Sequence, residues 1–282
     1  MLPKKVAIQG VAGAFHELAA QKIFGKDIKA VECDTFRELA QKLHTGEVDF
    51  AVMAIENTIA GTLLPNYSLI NEFGLKVVGE VYLHIEMQLM ALPGVRLSQI
   101  AYIHSHPIAI AQCREFLDML PATVTVVEKN DTAESAQLII KNNLADTAAI
   151  AGNLAAEMYG LHVIAKDIHT CKQNFTRFLA LSRTQRQSDL NSKASLCLEL
   201  EHRSGSLAKV LGIWAKHGIN LTKIQSAPII GKPYQYWFYV DLEWSDSAAY
   251  RQAMAEASMY AASQSVLGEY VRNSWEGEET KN

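Results

Sequence analysis

The sequence predicts two α/β domains in series, and three patterns along the chain lead to this fold class. Between positions 5 and 181, short apolar runs alternate with segments of helical spacing, as in sheets flanked by helices. Two strand-like segments within 75–92 follow each other without a helix, which indicates that the first domain has two lobes. After a polar stretch at 184–193, the predicted elements follow the order βαββαβ, which is typical of a ferredoxin-like unit.

Composition and charge argue against several classes of protein. The 282 residues are 49% apolar and 20% charged, as in ordinary globular chains. A net charge of -4 without a basic face argues against nucleic-acid binding, and no apolar run is long enough for a membrane span. The start of the chain lacks a signal-peptide core, so we expect a cytoplasmic protein. We expect reduced thiols, without disulfides or a metal site, because the four cysteines are widely spaced: Cys33, Cys113, Cys171 and Cys197.

Each element of the first domain has its own local signal. Apolar runs predict mostly parallel strands, in addition to the pair within 75–92, at 5–9, 31–33, 49–55, 100–103, 124–128, 148–151 and 178–181. Helical spacing predicts helices at 16–24, 36–43, 61–73, 107–120, 132–142 and 153–159. The best marked helix follows Thr35, where Glu38 completes a capping box and Gly46 lies past the last turn. Pro107 occupies a first helical turn, where proline is well tolerated.

The second domain is separated by a polar, aperiodic segment that predicts a linker. The predicted divisions are a first domain at 1–183, a linker at 184–193, a second domain at 194–275 and a polar tail at 276–282. Alternating apolar runs predict strands at 194–200, 219–224, 235–244 and 266–271. One helix carries an apolar stripe that begins at Leu207 and stops before Gly218, and another is predicted at 245–260.

Polar side chains gather where predicted strands end and helices begin, which is where open α/β sheets bind ligands. The junctions of interest lie at 10–16, 56–61, 104–112, 130–135 and 174–178. Each also has a structural interpretation, as a tight turn, a helix cap or a buried arginine. Together they offer hydroxyls, amides, one arginine and backbone N–H groups, which suits a small ligand that bears carboxylates. His104 and His106 lack a carboxylate at metal-binding spacing.

These segments jointly resemble the prephenate dehydratase family, from Lys4 to Asn273. The motifs of that family occur here in the same order, as Glu56-Asn57-Thr58, Ser105-His106-Pro107, Asp131-Thr132-Ala133 and Asn174-Phe175-Thr176-Arg177-Phe178. The βαββαβ part resembles the ACT domain that follows the catalytic domain in this family. The segments that carry this second resemblance are Gly205-Ser206-Leu207 and Asn220-Leu221-Thr222-Lys223-Ile224.

The resemblance implies a fold, a reaction and an effector. The fold is a two-lobed, periplasmic-binding-protein-like (type II) catalytic domain with crossings near 75–90 and 160–175, followed by a ferredoxin-like ACT domain. The reaction is the decarboxylating dehydration of prephenate to phenylpyruvate, water and carbon dioxide in phenylalanine biosynthesis, without a cofactor. Phenylalanine is the expected allosteric effector, and the expected assembly is a homodimer or homotetramer.

The resemblance also assigns expected roles to single residues. Thr176 is expected to lie nearest the leaving hydroxyl of the substrate, as donor or relay. Arg177 is expected to hold a carboxylate or brace the site, and Glu56 to position a neighbour or act as the acid. The catalytic set is Thr176, Glu56, Asn57, Ser105 and Gln112, and the substrate-binding set is Arg177, Thr58, Phe175, Ala14, Phe15 and Thr132. The effector set is Gly205, Ser206, Leu207, Asn220, Leu221, Gln225 and Ser226.

Three departures from the family pattern, and three alternatives, accompany this interpretation. Ile108 stands where the family's Ser-His-Pro-Gln motif has its glutamine. The turn at 10–16 lacks two hydroxyls of the family motif, which leaves its backbone N–H groups and makes His16 the candidate replacement contact. Gln225-Ser226-Ala227-Pro228 stands where the family has Glu-Ser-Arg-Pro, so we expect weaker or differently built inhibition by phenylalanine. The alternatives are an arogenate dehydratase, a non-catalytic amino-acid sensor on the same scaffold, and a periplasmic solute-binding protein.

Overall fold

The described residues form three sheets, two in the first domain and one in the second. The structure is a computed structural model that describes residues 3–185 and 188–273. The tail predicted at 276–282 and positions 186 and 187 of the predicted linker lie outside the described residues. The two-lobed α/β domain and the βαββαβ unit expected from the sequence are both present.

The first lobe is a sheet in the order β2-β1-β3-β11-β5, with the short β4 paired to β3. Its elements are β1 (Lys4–Gln9), α1 (Phe15–Phe24), β2 (Ile28–Cys33), α2 (Phe36–Thr45), β3 (Phe50–Asn57), β4 (Gly61–Thr62), α3 (Leu64–Glu72), β5 (Lys76–His84) and β11 (Phe175–Ser182). The chain leaves this lobe after β5 and returns to it as β11, which lies between β3 and β5 and runs antiparallel to both.

The second lobe is a sheet in the order β10-β6-β9-β7-β8. Its elements are β6 (Gln88–Ala91), a short 3-10 helix (Leu97–Gln99), β7 (Tyr102–Ser105), α4 (Pro107–Gln112), α5 (Arg114–Asp118), β8 (Thr125–Glu128), α6 (Thr132–Asn142), β9 (Thr147–Ala151), α7 (Asn153–Tyr159) and β10 (His162–Ala165). The two lobes are connected at 85–87 and 166–174.

Both sheets of the first domain are mixed, whereas the sequence pattern predicted mostly parallel strands. The parallel pairs are those joined by helical crossovers, as in β1 with β2 and β3, and β7 with β8 and β9. The strands that flank the crossings, β6 and β11, run antiparallel to their neighbours. Parallel neighbours need a crossover connection within one sheet, and a chain that leaves one sheet to enter another is under no such constraint.

The second domain has the strand order β13-β14-β12-β15, with every neighbouring pair antiparallel. Its elements are β12 (Lys193–Leu200), α8 (Ser206–Lys216), β13 (Asn220–Pro228), β14 (Tyr236–Glu243), α9 (Ser247–Ser258) and β15 (Ala261–Tyr270). The two helices pack on one face of the sheet through a core that includes Trp214 and Tyr250. An apolar cluster on the first lobe covers part of the other face, where Tyr239 stacks near Tyr67 at 5.0 Å between ring centroids.

The structure differs from the sequence prediction at several element boundaries. Strands β4 and β10 were missed because each is too short to show a period. The helix predicted at 107–120 is two short helices, α4 and α5, which meet at Cys113. Lys193, which we had placed in the linker, is the first residue of β12 and is buried, with its charge paired to carboxylates.

Candidate active site

The candidate site is centred on Asn57 and Thr176, which lie opposite each other on the neighbouring strands β3 and β11. The amide Nδ2 of Asn57 donates to Oγ1 of Thr176 over 2.9 Å. Asn57 Oδ1 accepts from the backbone N–H groups of Ile59 and Ala60, so the turn after β3 orients the amide. Among the hydrogen bonds of the described residues, none uses the Thr176 hydroxyl as its donor. The hydroxyl therefore retains a hydrogen that it can donate to a ligand.

A chain of amide side chains extends from this pair into the second lobe. Asn57 Nδ2 also donates to Asn174 Oδ1 over 2.8 Å, and Asn174 Nδ2 donates to Gln112 Oε1 over 3.1 Å. Asn174 is fully buried on the second crossing, and Gln112 is the last residue of α4. The network therefore connects Thr176 in one lobe to Gln112 in the other.

Thr58 and Phe175 shape the start of β11. The Thr58 hydroxyl donates to the carbonyl of Gln173 and accepts from the N–H of Phe175, both over 3.0 Å. The Phe175 ring packs on the imidazole of His84, with ring centroids 4.9 Å apart. The expected substrate-binding residue Thr58 thus uses its hydroxyl within the protein, where it holds the backbone next to Thr176.

Glu56 and Arg177 lie on the opposite face of the same sheet from Asn57 and Thr176. Successive side chains of a strand point to opposite faces, so the neighbours of two cleft residues must face away from the cleft. Glu56 accepts from Lys223 Nζ of the second domain over 2.8 Å, and that ammonium also donates to Thr62 over 3.0 Å. This corrects the expectation that Glu56 serves as an acid or positioning group inside the cleft.

Arg177 is buried against the second domain and donates to protein carboxylates. Its Nε donates to Glu80 of β5 over 2.8 Å, its Nη1 donates to Asp241 of β14, and its Nη2 donates to the hydroxyl of Tyr270 over 3.0 Å. Burial would lower the pKa of Arg177, but the Asp241 carboxylate outweighs it and holds that pKa well above its usual value. The expectation that Arg177 holds a substrate carboxylate is therefore corrected, since its partners are supplied by the protein.

Ser105 is completely buried at the end of β7, and its hydroxyl donates to the carbonyl of Ile150 over 2.7 Å. It connects two strands of the second lobe and does not reach the Thr176 network, which corrects its expected catalytic contact. The adjacent His106 accepts from the N–H of Ile108 and caps α4, as the capping interpretation predicted. Ser105 and His106 therefore both form hydrogen bonds within the second lobe.

The turn at 10–16 packs against the second lobe, and few of its backbone N–H groups are free to donate to a ligand. Glu32 accepts from the N–H of Ala12 and Glu17 accepts from the N–H of Gly13, both over 2.7 Å. These carboxylates use two of the N–H groups that we expected to remain for substrate. A methyl group added to Gly10 would lie 2.8 Å from a carboxylate oxygen of Asp131, so only glycine fits this approach between lobes.

Ala14, Phe15 and Thr132 lie where the lobes face each other. Ala14 is buried in the core of the second lobe, and the Phe15 ring covers Gly152. Phe15 also lines an interlobe cavity of about 240 Å³ together with His84. Thr132 is the first residue of α6, which Asp131 caps by accepting from Ala133 and Glu134. Of these three, Ala14 and Phe15 line the cavity.

His16 packs inside the first lobe and does not replace a contact in the cleft. Its Nε2 accepts from the N–H of Ala54 over 3.3 Å, and its ring packs on Phe36 and Phe178. Desolvation by its surroundings lowers the pKa of His16 to about 4. The ring is therefore neutral in the folded protein at pH values where an exposed histidine would already be protonated.

We expect His16 to make the stability of the protein depend on pH below neutrality. The folded pKa lies below the ordinary value of about 6.5, so the unfolded state binds the proton more readily. The contribution of His16 to the free energy of unfolding should be fully present above about pH 6.5. It should be lost, by roughly 3 kcal/mol, as the pH drops towards 4. Denaturant unfolding across that range, compared with His16→Gln, measures the effect.

The matched control for this pH dependence is His162→Gln, because His162 is an exposed residue of β10. His16→Gln keeps an acceptor for Ala54 and removes the titrating ring, so its pH slope should be flatter than that of the wild type. His162→Gln should keep the wild-type slope. Equal slopes in the wild type and His16→Gln would contradict the assignment.

The expected effector residues do not converge within one chain. Gly205 and Ser206 begin α8 beside a cavity of about 380 Å³ that is also lined by Lys209. Asn220 lies at the opposite end of the sheet, since β13 runs parallel to β12, and lines a cavity of about 270 Å³ near Lys193. Leu207 packs against the domain core, and Leu221, Gln225 and Ser226 lie along the edge strand β13.

The described residues contain neither a cluster of potential metal ligands nor a helix that could span a membrane. Within 3–185 and 188–273, no group of three or more His, Cys, Asp or Glu side chains is arranged to hold a metal ion. Over the same residues, none of the helices combines the length and apolar character needed to cross a membrane. All four cysteines are free thiols, and Cys171 is the exposed one.

Comparisons with known proteins give consistent family matches. The family model described as prephenate dehydratase matches residues 6–186. A curated relative, arogenate dehydratase/prephenate dehydratase 6, chloroplastic, from Arabidopsis thaliana, is 38% identical over 283 residues. That match covers 94% of this chain and 68% of the relative, so the chain spans about two thirds of the plant protein.

Solved structures match over nearly the whole chain. The prephenate dehydratase of Arthrobacter aurescens in complex with L-Phe has a TM-score of 0.83 at 28% identity, with 95% of this chain and 90% of that chain covered. GqqA, described as a novel type of quorum quenching acylase, has a TM-score of 0.86 at 30% identity, with 96% and 98% covered. Both matches include the second domain as well as the two lobes.

Proposed function

Because the chain belongs to the prephenate dehydratase family, we propose that it converts prephenate to phenylpyruvate, water and carbon dioxide with Thr176 as the central catalytic residue. The observation that carries this proposal is the Thr176 hydroxyl, which accepts from Asn57 and keeps its own hydrogen for a ligand. Loss of the ring hydroxyl and of carbon dioxide makes the ring aromatic, so the enzyme needs to orient the substrate and donate one proton.

In this proposal Asn57 and Asn174 position Thr176, and Gln112 contacts the substrate. Oε1 of Gln112 already accepts from Asn174. The Nε2 group of Gln112 therefore points away from Asn174, and its N–H donors are left for the substrate. A neutral threonine is a weak acid, so hydrogen bonds to the departing oxygen supply much of the stabilisation. With Arg177 occupied by protein carboxylates, the substrate carboxylates are met by neutral donors, of which Gln112 and Thr132 are our candidates.

We further propose that the second domain is an ACT domain that binds phenylalanine and regulates the cleft. The βαββαβ order and the L-Phe complex of the Arthrobacter relative support this assignment. Because the seven expected effector residues lie apart within one chain, a homo-oligomer in which two chains complete the site is part of the proposal. A cytoplasmic location remains part of it too, although the Arabidopsis relative is named chloroplastic.

Arogenate is the second candidate substrate, since the name of the Arabidopsis relative includes both activities. Arogenate differs from prephenate in its side chain, which is an amino acid rather than a keto acid, while the dehydrating ring is the same. The likeness to GqqA does not lead us to propose acylase activity. The Thr176 hydroxyl is hydrogen-bonded to an amide, whereas an acyl-transfer nucleophile needs a neighbouring base.

The test is an assay of the purified protein with prephenate and with arogenate, following phenylpyruvate and phenylalanine as the respective products. We expect turnover of prephenate, with a higher kcat/KM than for arogenate. A higher kcat/KM for arogenate would reassign the substrate and keep the chemistry. Turnover of neither substrate would overturn the proposed function and favour the non-catalytic sensor.

Regulation is tested in the same assay by titrating phenylalanine. We expect weaker inhibition than in relatives with an intact Glu-Ser-Arg-Pro segment, because Gln225-Ser226-Ala227-Pro228 removes a charged pair. Tight and cooperative inhibition would show that this departure does not weaken the effector site.

A further inference from the structure

Neighbouring residues of strand β11 face two different parts of the protein. Thr176 faces the cleft, where it is hydrogen-bonded to Asn57, and Arg177 faces the second domain, where it contacts Asp241 and Tyr270. The two side chains share one stretch of backbone. A shift that moves the Arg177 backbone therefore also moves Thr176.

The ladder around this stretch of backbone is regular on one side only. β11 pairs with β5 in unbroken register from Phe175 to Ala180, but β3 has one extra residue, Ile55, between the partners of Arg177 and Phe178. A bulge disrupts the local ladder and bends the strand that carries it, which here is β3 just before Asn57. The side-chain contacts of Arg177 therefore hold β11 next to an irregular part of the ladder.

Arg177 supplies such contacts through a buried cluster in which the charged groups are paired. Glu80 of the first lobe accepts from Arg177 and lies 3.1 Å from Lys193 Nζ. Lys193 is also 3.1 Å from Glu243, and Asp241 accepts from the Ser195 hydroxyl over 2.6 Å. Three tyrosines also face the cluster, Tyr67, Tyr82 and Tyr270, and the N–H of Asn273 donates to Glu80 over 3.2 Å.

Carboxylates of both domains contact the same guanidinium group, that of Arg177. Asp241 is 1% exposed and Arg177 is 3% exposed, so water does not replace either partner. Burial alone would raise the pKa of Asp241, but Arg177 and Ser195 hold it below its usual value, and the carboxylate stays charged. Planar, directional bonds of a guanidinium to carboxylates fix orientation as well as distance.

We propose that Asp241 is a positioning residue for Thr176, by which the second domain sets the geometry of the cleft through Arg177. The inference rests on the proposed function, in which Thr176 is the residue that meets the leaving hydroxyl. Asp241 does not touch the substrate, and it acts by orienting Arg177, which is the neighbour of Thr176 in β11. A misplacement on the scale of 1 Å in a catalytic group can lower a rate by about 100-fold.

The test compares Asp241→Asn with Lys76→Met in the full chain. Asp241→Asn keeps the shape of the side chain and removes the charge that orients Arg177. Lys76 donates to the carbonyl of Val266 in the second domain, at the other end of β11, where it lies opposite Ser182. Lys76→Met therefore also removes a contact between the domains, but far along the strand from Thr176.

We expect Asp241→Asn to lower kcat by about tenfold or more with KM unchanged, since binding groups elsewhere in the cleft are retained. Lys76→Met should keep wild-type kcat and KM. Both are measured at a temperature where circular dichroism shows every variant fully folded. Wild-type kcat in folded Asp241→Asn, or an equal loss in Lys76→Met, would overturn the proposal.

If Asp241→Asn does not fold at any working temperature, Tyr270→Phe decides the question. It removes one hydroxyl that contacts Arg177 and Ser195, and keeps every charge. A lower kcat at unchanged KM supports the positioning role, and wild-type kinetics overturn it. Failure of the proposed function is distinguishable, because the wild-type protein would then turn over neither prephenate nor arogenate.

Discussion

Replacing Thr176 with alanine should lower kcat by about 100-fold or more, which is the range that a positioned proton donor contributes. The substitution removes the hydroxyl that accepts from Asn57 and is left to donate to the departing oxygen. Thr176→Ser should keep much of the activity, because it retains the hydroxyl. Steady-state measurement of kcat and KM with prephenate checks the prediction.

Glu56→Gln is the matched comparison for Thr176→Ala. Glu56 lies beside Asn57 in sequence, but its carboxylate pairs with Lys223 on the other face of the sheet. That side chain is partly exposed, so the pair is screened by solvent and contributes little to stability. We expect only a small change in kcat. A loss as large as that of Thr176→Ala would return Glu56 to the role of acid, and near-normal kcat in Thr176→Ala would remove Thr176 from the chemistry.

Replacing Gly268 with alanine should strongly destabilise the contact between the two domains. A methyl group at this buried position in β15 would lie 2.0 Å from the carbonyl oxygen of Val77 in β5. The obstructing atom is backbone, so no side chain can rotate away, and β5 and β15 must separate. Overpacking of this kind costs about 1–3 kcal/mol and sometimes more, and we expect the upper end. Thermal unfolding of the full chain measures the loss.

Gly212→Ala is the control, and it should change stability in the opposite direction. Gly212 is an exposed residue inside α8, with open space where its methyl group would lie. Alanine is favoured over glycine in a helix by about 0.5–1 kcal/mol, so this variant should be more stable than the wild type. An unfolding midpoint of Gly268→Ala equal to that of the wild type would show that β5 and β15 do not approach so closely.

Much of the fold was predictable because its signals are local. The helix after Thr35 has its cap contact to the N–H of Glu38 and its left-handed Gly46, as the sequence indicated. Helices at Thr132–Asn142 and Asn153–Tyr159 have the predicted bounds. These features depend on contacts between residues within a turn or two of each other, so a short segment of sequence is enough to predict them.

Predicting the candidate site from the sequence was less successful, and the errors at Glu56 and Arg177 have one physical origin. Asn57 and Thr176 meet as expected, but their neighbours Glu56 and Arg177 were assigned to the same cleft. The period of two in a strand excludes that arrangement, and this rule was available from the sequence alone. The partners on the far face were not available, because Lys223 and Asp241 belong to another domain.

The amino-acid sequence by itself determined the family motifs, the two α/β domains and Thr176 as the leading catalytic candidate, since motif order and hydrophobic period are properties of the chain. Only the tertiary structure decided which charged groups meet between the two domains. The linker residue Lys193 proved to be buried in a strand, within a charge cluster that includes the residue next to Thr176. Charges distant in sequence are paired by the docking of two surfaces, and no local pattern encodes which ones meet.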